Sequence, residues 1–200
     1  MLGHTHALFG VTMLVVAEVL AKEAGLGLVQ PHLLKGLPTG LVLCAGAAIL
    51  GALAPDLDAD DSSIQHDLGG VSEIIRGSLL LFGVQHRGVL HSGLVIGLVM
   101  ALGWLLGGQI GYADVGLAFG LGYLSHVVLA DAMTIRGVPL FWPLEHSFHL
   151  LPKGLRVRTG GPVEALVFLA VALGVAGLVW LRPDLIPAEF FKWLKLVWKA

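Results

Sequence analysis

The sequence predicts an all-α, multi-pass bundle of about five transmembrane helices, and three observations support that prediction. The chain of 200 residues is 56% hydrophobic and only 13% charged, whereas a soluble domain is usually about 25% charged. Its apolar residues fall in five runs, which approach the roughly 20 residues of a membrane span once polar flanks are added. Glycine is frequent, at 28 residues, and small residues let helices pack closely in lipid.

The five predicted spans cover residues 7–20, 37–53, 89–110, 115–130 and 163–181. Glu18 and Lys22 are four residues apart near the end of the first run, so they can pair on one helix face. Pro55 predicts that the second helix ends at Ala54 or just before it, because a proline disfavours helical geometry in the preceding residue.

Residues 183–200 are predicted to form an amphipathic tail after a membrane-embedded domain of residues 1–182. In the stretch from Glu189 to Lys199, aromatic and aliphatic side chains recur at helical spacing, with three lysines on the opposite side. Two tryptophans and a basic polar face are typical of a helix lying in the membrane interface. An amphipathic helix packed on protein is the alternative.

Charge and cysteine content narrow the classes of function. The formal net charge of -2 gives no reason to expect a nucleic-acid partner. The single cysteine, Cys44, lies in an apolar run, so neither a disulfide framework nor a thiolate zinc site is expected. The expected partners are membrane lipid and a small-molecule or lipid substrate.

Alternating spans bring most polar residues to one membrane face, here called side A, which holds the N-terminus. Eight of the nine histidines, all but His32, and nine of the fourteen acidic residues fall there. The side-A connections carry six basic residues and the side-B loops two. The positive-inside rule therefore places side A in the cytoplasm, although four more basic residues follow the last span on side B.

Imidazoles and carboxylates at helix ends on side A predict a metal site. The candidate ligands are His6, Asp56, Asp58, His86, His91, His126 and Asp131. Such groups suit zinc, with Mn or Fe as alternatives, and their number allows more than one ion. Arg87 could bind an anionic substrate group or mark the interface by snorkelling. Asp58 and Glu164 are each a candidate base or ligand.

Each local motif also has an ordinary structural explanation. Pro55-Asp56-Leu57-Asp58 is typical of a capped turn, and His126 alone could be a satisfied core histidine. His66, His146 and His149 are expected to be loop histidines. His126 and Asp131 are five residues apart, which is about 140° on a regular α-helix. Joint ligation by these two residues would therefore need a π-bulge or a helix end between them.

Several ordered motifs resemble the YdjM-like family of inner-membrane, metal-dependent hydrolases. They are Thr5-His6, Pro55-Asp56-Leu57-Asp58, His86-Arg87-Gly88-x-x-His91-Ser92, Gly122-Tyr123-Leu124-Ser125-His126 and Asp131-x-x-Thr134-x-x-Gly137-Val138-Pro139-Leu140-x-Trp142-Pro143. Glu164 fits a further acidic position. The resemblance implies a multi-pass membrane protein with hydrolase activity. Two departures are Leu90, where the family usually has threonine, and the five-residue spacing from His126 to Asp131, where four is more common.

The sequence therefore predicts a metal-dependent hydrolase of the inner (plasma) membrane. It would act on a phosphoester or another lipid-borne ester through a metal-activated water. One alternative is a transporter or metal carrier, which usually places its ligands near the membrane midplane. Another is a structural membrane protein whose metal only fastens the bundle, with a closed coordination sphere.

Overall fold

The computed structural model describes residues 1–30, 32–34, 37–58, 88–144, 146–186, 190–191, 195 and 198. For residues 33–34, 37–38 and 57–58 it describes the backbone alone. The predictions for His86 and Arg87, and for most of the tail from Glu189 to Lys199, lie outside the described residues and stay predictions.

Five α-helices form the described part of the protein, and they confirm the all-α membrane bundle. They are α1 (Gly3–Glu23), α2 (Gly40–Leu53), α3 (Gly93–Gln109), α4 (Ala113–Leu124) and α5 (Pro162–Leu181). A short antiparallel hairpin of β1 (Leu33–Leu34) and β2 (Leu37–Pro38) precedes α2.

Three helical segments are long and apolar enough to cross a membrane, namely Gly3–Glu23, Ala113–Met133 and Pro162–Leu181. Two shorter apolar segments, Gly40–Asp56 and Gly93–Gln109, complete the set. α2 ends at Leu53, which confirms the prediction made from Pro55. A 3-10 turn that contains Asp56 follows it directly.

The middle of the bundle is closed by backbone contacts at small residues. α4 packs against both α2 and α3, and α1 packs against α2. A Cβ atom on Gly122 of α4 would meet the carbonyl oxygen of Ala48, and one on Gly51 would meet that of Phe119. Cys44 and Ala52 on α2 are fully buried. The polar groups at the two ends of the bundle are therefore separated by tightly packed apolar helix surfaces.

α5 contacts α1 and exposes most of its other apolar side chains. On side A, Glu164 of α5 accepts a hydrogen bond from the Leu2 N–H at 2.6 Å. On side B, Arg182 donates to Glu23 at 2.7 Å and to Asp184 at 2.9 Å. The Arg182 guanidinium lowers the pKa of the Asp184 carboxyl. α5 is thus tied to α1 at both ends, and its exposed apolar faces suit lipid.

The close approach of α2 and α4 predicts that alanine substitutions at two glycines of α2 differ clearly in their effect on stability. Gly51→Ala should lower the free energy of unfolding by about 1–3 kcal/mol, because overpacking a tight contact forces backbone shifts. Gly46→Ala, with open space around the added methyl group, should be close to neutral. Thermal unfolding in detergent measures both variants, and equal Tm values would contradict the close approach at Gly51.

Candidate metal centre

Helix ends on side A bring imidazole and carboxylate side chains together. His6 lies near the start of α1, and Asp56 lies in the 3-10 turn after α2. His91 ends the 3-10 turn that precedes α3. His126 and Asp131 lie in the segment that continues α4. Residues from four separate parts of the chain therefore meet at one end of the bundle.

Four of these side chains form a compact donor set. Asp56, His91, His126 and Asp131 each offer one ligand atom, and these atoms all lie within 4.8 Å of one another. His91, His126 and Asp131 are fully buried, whereas the Asp56 side chain is 22% exposed. The set is a possible metal-binding site that is open to its surroundings at Asp56.

The imidazole–carboxylate distances in this set are longer than ordinary hydrogen bonds. His91 Nε2 lies 3.8 Å from Asp56 Oδ1 and 3.6 Å from Asp131 Oδ2. His126 Nε2 lies 3.5 and 3.7 Å from the same two oxygens. Donor atoms that share one tetrahedral zinc ion, with bonds of about 2.1 Å, lie about 3.4 Å apart. The donor types and their separations therefore fit a divalent cation.

A histidine–aspartate pair at the other end of the bundle provides an internal comparison. His32 Nε2 and Asp114 Oδ1 lie 2.8 Å apart, which is within the usual hydrogen-bond range of about 2.7–3.2 Å. The same residue types thus pair directly on side B and stay further apart on side A.

A π-helix at the end of α4 positions His126 and Asp131. α4 ends at Leu124, a π-helix spans Ser125–Ala130, and Asp131 follows it. The i→i+5 pattern of a π-helix brings residues five apart to a common face, and such bulges are frequent at functional sites. The structure thus supplies the bulge that the sequence spacing required.

The backbone fixes the orientation of the His126 ring. His126 Nδ1 lies 2.6 Å from the carbonyl oxygen of Ala52. Because a carbonyl oxygen only accepts, Nδ1 carries the proton and donates it. Nε2 then carries a lone pair on the side that faces Asp56 and Asp131. Metal-ligating histidines commonly show this arrangement, with one ring nitrogen donating to a backbone carbonyl and the other binding the ion.

His6 lies beside this set without belonging to its tightest four members. Its ring stacks on that of His126, with centroids 3.9 Å apart and planes 13° apart. Its Nε2 lies 3.8 Å from Asp56 Oδ2 and 3.7 Å from Asp131 Oδ1, and 3.1 Å from the Met1 carbonyl oxygen. The Met1 amino nitrogen also lies 3.3 Å from Asp131 Oδ1.

Glu164, predicted from the sequence as a base or ligand, is engaged by backbone groups. Its Oε1 accepts from the Leu2 N–H at 2.6 Å and its Oε2 from the Gly160 N–H at 2.7 Å. The side chain is buried. These contacts assign Glu164 a positioning role between the starts of α1 and α5, and its catalytic role stays a prediction.

The structure does not describe the side chains of three further predicted site residues, His86, Arg87 and Asp58. His86 and Arg87 lie outside the described residues, and only the backbone of Asp58 is described. In the connection between α4 and α5, His146 is exposed and His149 is half-buried, as expected of loop histidines. His66 also lies outside the described residues.

A polar cluster on side B contains Asp114, a residue that sequence reasoning did not single out. Asp114 pairs with His32 and accepts from the Gln30 N–H at 3.0 Å. Glu18 accepts from the N–H groups of Leu28 and Val29, each at 2.9 Å. Glu18 also lies 3.8 Å from Lys22, which confirms the predicted pair. In the sequence, the only indication of this role is that Asp114 is an acidic residue directly before an apolar run. Glu18 and Asp114 together accept hydrogen bonds from the backbone of the loop after α1.

The contacts of Glu164 predict a large loss of stability on truncation. Glu164→Ala removes the carboxylate that accepts from the Leu2 and Gly160 N–H groups, and a hydrogen bond to a charged group contributes about 1.5–3 kcal/mol. Glu164→Gln keeps one acceptor oxygen and should lose less. Thermal unfolding of the two variants in detergent provides the comparison, and a Glu164→Ala variant as stable as the parent would contradict the positioning role.

Comparison with known proteins identifies the family. The family model described as YdjM inner membrane protein matches residues 1–183. Inner membrane protein YdjM of Escherichia coli (strain K12) is 34% identical over 154 residues, covering 74% of this chain and 70% of that protein. The Shigella flexneri protein of the same name matches to the same extent. No solved structure matches the chain. The motifs read from the sequence, the helical membrane bundle and these matches agree, so the chain belongs to the YdjM inner membrane protein family.

Proposed function

We propose that this protein is a membrane-bound, metal-dependent hydrolase that acts on a phosphoester or another lipid-borne ester. One observation carries the proposal: Asp56, His91, His126 and Asp131 converge at one end of the bundle with the spacing of metal ligands. Zinc is the first candidate metal for this donor set, and manganese and iron are alternatives. When bound, such an ion supplies a nucleophile for hydrolysis, because it lowers the pKa of water.

The residues of the chain support this chemistry by holding the donor set in a fixed geometry. The Ala52 carbonyl fixes the proton of His126 on Nδ1. The π-helix keeps His126 and Asp131 on a common face. Glu164 joins the start of α5 to the start of α1, next to His6. Asp56, the partly exposed member of the set, marks the side from which a substrate would approach.

A lipid-borne substrate fits the surroundings of the site. The connection between α4 and α5 starts and ends on the same side of the bundle as Asp131 and Glu164. Its exposed apolar side chains include Ile135, Phe141 and Leu144. An apolar surface at a membrane face favours contact with lipid.

For Arg87, we propose that it binds the anionic group of the substrate, and for Asp58 that it acts as base.

The transporter alternative is less well supported by the packing. A conduit would need polar groups or a cavity between the two ends of the bundle. In the described part of the chain, α2 and α4 instead meet through backbone contacts at Gly51 and Gly122.

We place the site at the cytoplasmic face, from the excess of basic residues in the side-A connections.

The proposal is tested by screening the purified protein, in detergent and in lipid nanodiscs, against phosphoesters and lipid esters. We expect hydrolysis that depends on added Zn²⁺, Mn²⁺ or Fe²⁺ and that a chelator abolishes. His32→Ala, on side B, serves as the control and should keep full activity. Metal-loaded protein that hydrolyses no member of either ester class would contradict the proposed function.

A further inference from the structure

We infer that the side-A cluster holds two divalent cations, bridged by Asp56 and Asp131, with His6 as a ligand of the second ion. This inference deepens the proposed function and rests on its metal centre. It assigns a role to His6, which lies outside the four-membered donor set, and it adds a second ion to that set.

The two oxygens of each carboxylate face different imidazoles, and the pattern is the same for Asp56 and Asp131. Asp56 presents Oδ1 to His91 and His126, at 3.8 and 3.5 Å, and presents Oδ2 to His6 at 3.8 Å. Asp131 presents Oδ2 to His91 and His126, at 3.6 and 3.7 Å, and presents Oδ1 to His6 at 3.7 Å. Each carboxylate therefore directs one oxygen toward His6 and the other toward the pair of His91 and His126.

This division is the arrangement of a carboxylate-bridged pair of ions. All six separations lie between 3.5 and 3.8 Å, close to the roughly 3.4 Å between donors on one tetrahedral ion. One ion would share His91, His126, Asp56 Oδ1 and Asp131 Oδ2. The other would share His6, Asp56 Oδ2 and Asp131 Oδ1. Two-metal sites of this kind occur in phosphatases and nucleases.

The surroundings of His6 supply two further observations. The ring is 1% exposed, and Nε2 is the nitrogen that faces the two carboxylates. The Met1 carbonyl oxygen lies 3.1 Å from Nε2, so it offers one more oxygen donor to an ion on this side. The competing interpretation is that His6 donates from Nε2 to this carbonyl and binds no ion. The Met1 amino group, 3.3 Å from Asp131 Oδ1, would then be the cation on this side.

His6 also stacks in parallel on His126, which keeps the two Nε2 atoms directed at the same two carboxylates. Three buried imidazoles, the buried Asp131 carboxylate and the partly exposed Asp56 carboxylate make a strong donor set. One four-coordinate ion would use only four of these five groups. The second ion accounts for the fifth group.

Metal stoichiometry and Mn²⁺ electron paramagnetic resonance test the inference without any activity assay. The unmodified protein should bind about two ions per chain, and the Mn²⁺ form should give an exchange-coupled signal, as expected of neighbouring ions. His6→Phe, which keeps an aromatic ring without a donor, should bind about one ion and give an uncoupled signal.

His4→Phe is the matched control, because His4 lies on the same helix with its ring against Phe168. This variant should keep the coupled signal. If His6→Phe fails to fold, the stoichiometry and coupling of the unmodified protein still decide the question. One ion in the unmodified protein, or an unchanged coupled signal in folded His6→Phe, would overturn the inference. Two ions without hydrolysis would refute the proposed function alone, and hydrolysis with a single ion would refute only the inference.

Discussion

Asp131→Asn should remove metal from the protein and abolish metal-dependent hydrolysis. The Asp131 carboxylate is fully buried and lies 3.6–3.7 Å from His6, His91 and His126, so it is one of the two carboxylates that the three imidazoles share. The amide keeps the shape of the side chain and loses its charge and one oxygen donor. Substitution of a residue that only contacts a metal ligand typically lowers the metal affinity by about 10–100-fold. We expect a larger loss here, because Asp131 is itself a proposed ligand. Metal analysis of the purified variant gives the result.

Asp114→Asn is the matched control for this variant. Asp114 is also a buried aspartate at an end of the α4 segment, and it also pairs with a histidine, His32. It lies at the opposite end of the bundle. Asp114→Asn should lose stability, because a charged hydrogen bond is weakened, and should keep its metal. An Asp131→Asn protein that retains its full metal content would contradict the assignment of the site.

Removal of metal should lower the thermal stability of the protein by several degrees. Without a cation, the buried Asp131 carboxylate and the partly exposed Asp56 carboxylate repel each other, and the Met1 amino group, 3.3 Å from Asp131 Oδ1, compensates only part of this charge. Charges that are taken out of water are costly unless they are compensated. A ligand that binds only the folded state stabilises that state by about 2.7 kcal/mol when its free concentration is about 100 times its Kd. The Tm should therefore rise with free Zn²⁺ and fall with chelator.

The Asp131→Asn variant serves as the control for this measurement, because it lacks the Asp131 carboxylate. Its Tm should not depend on metal over the same range of concentration. A parent protein with the same Tm in chelator and in excess Zn²⁺ would show that the cluster is held together without metal.

Much of the site could be predicted from the sequence because membrane topology acts as a long-range constraint. Alternating apolar runs already bring His6, Asp56, His91 and Asp131 to one face, before any tertiary contact is known. The five-residue spacing from His126 to Asp131 likewise required a local departure from α-helical geometry, and the structure has a π-helix there.

Other features could not be predicted, because they depend on contacts between residues distant in sequence. Nothing in the sequence indicates that Glu164 accepts from the Leu2 N–H, 162 residues away. The pairing of His32 with Asp114 across 82 residues has no periodic signature either. Which oxygen of Asp56 and of Asp131 faces His6 depends on the rotation of these side chains, which hydropathy and spacing do not determine.

X-ray absorption spectroscopy of the zinc-loaded protein tests the metal centre most directly. We expect nitrogen and oxygen neighbours at about 2.0–2.2 Å, with the multiple scattering of imidazole rings. The imidazole contribution should be lost in a variant that combines His91→Ala with His126→Ala. A sulfur neighbour at about 2.3 Å would indicate binding at Cys44, and zinc without imidazole ligands would contradict a metal centre built on His91, His126, Asp56 and Asp131.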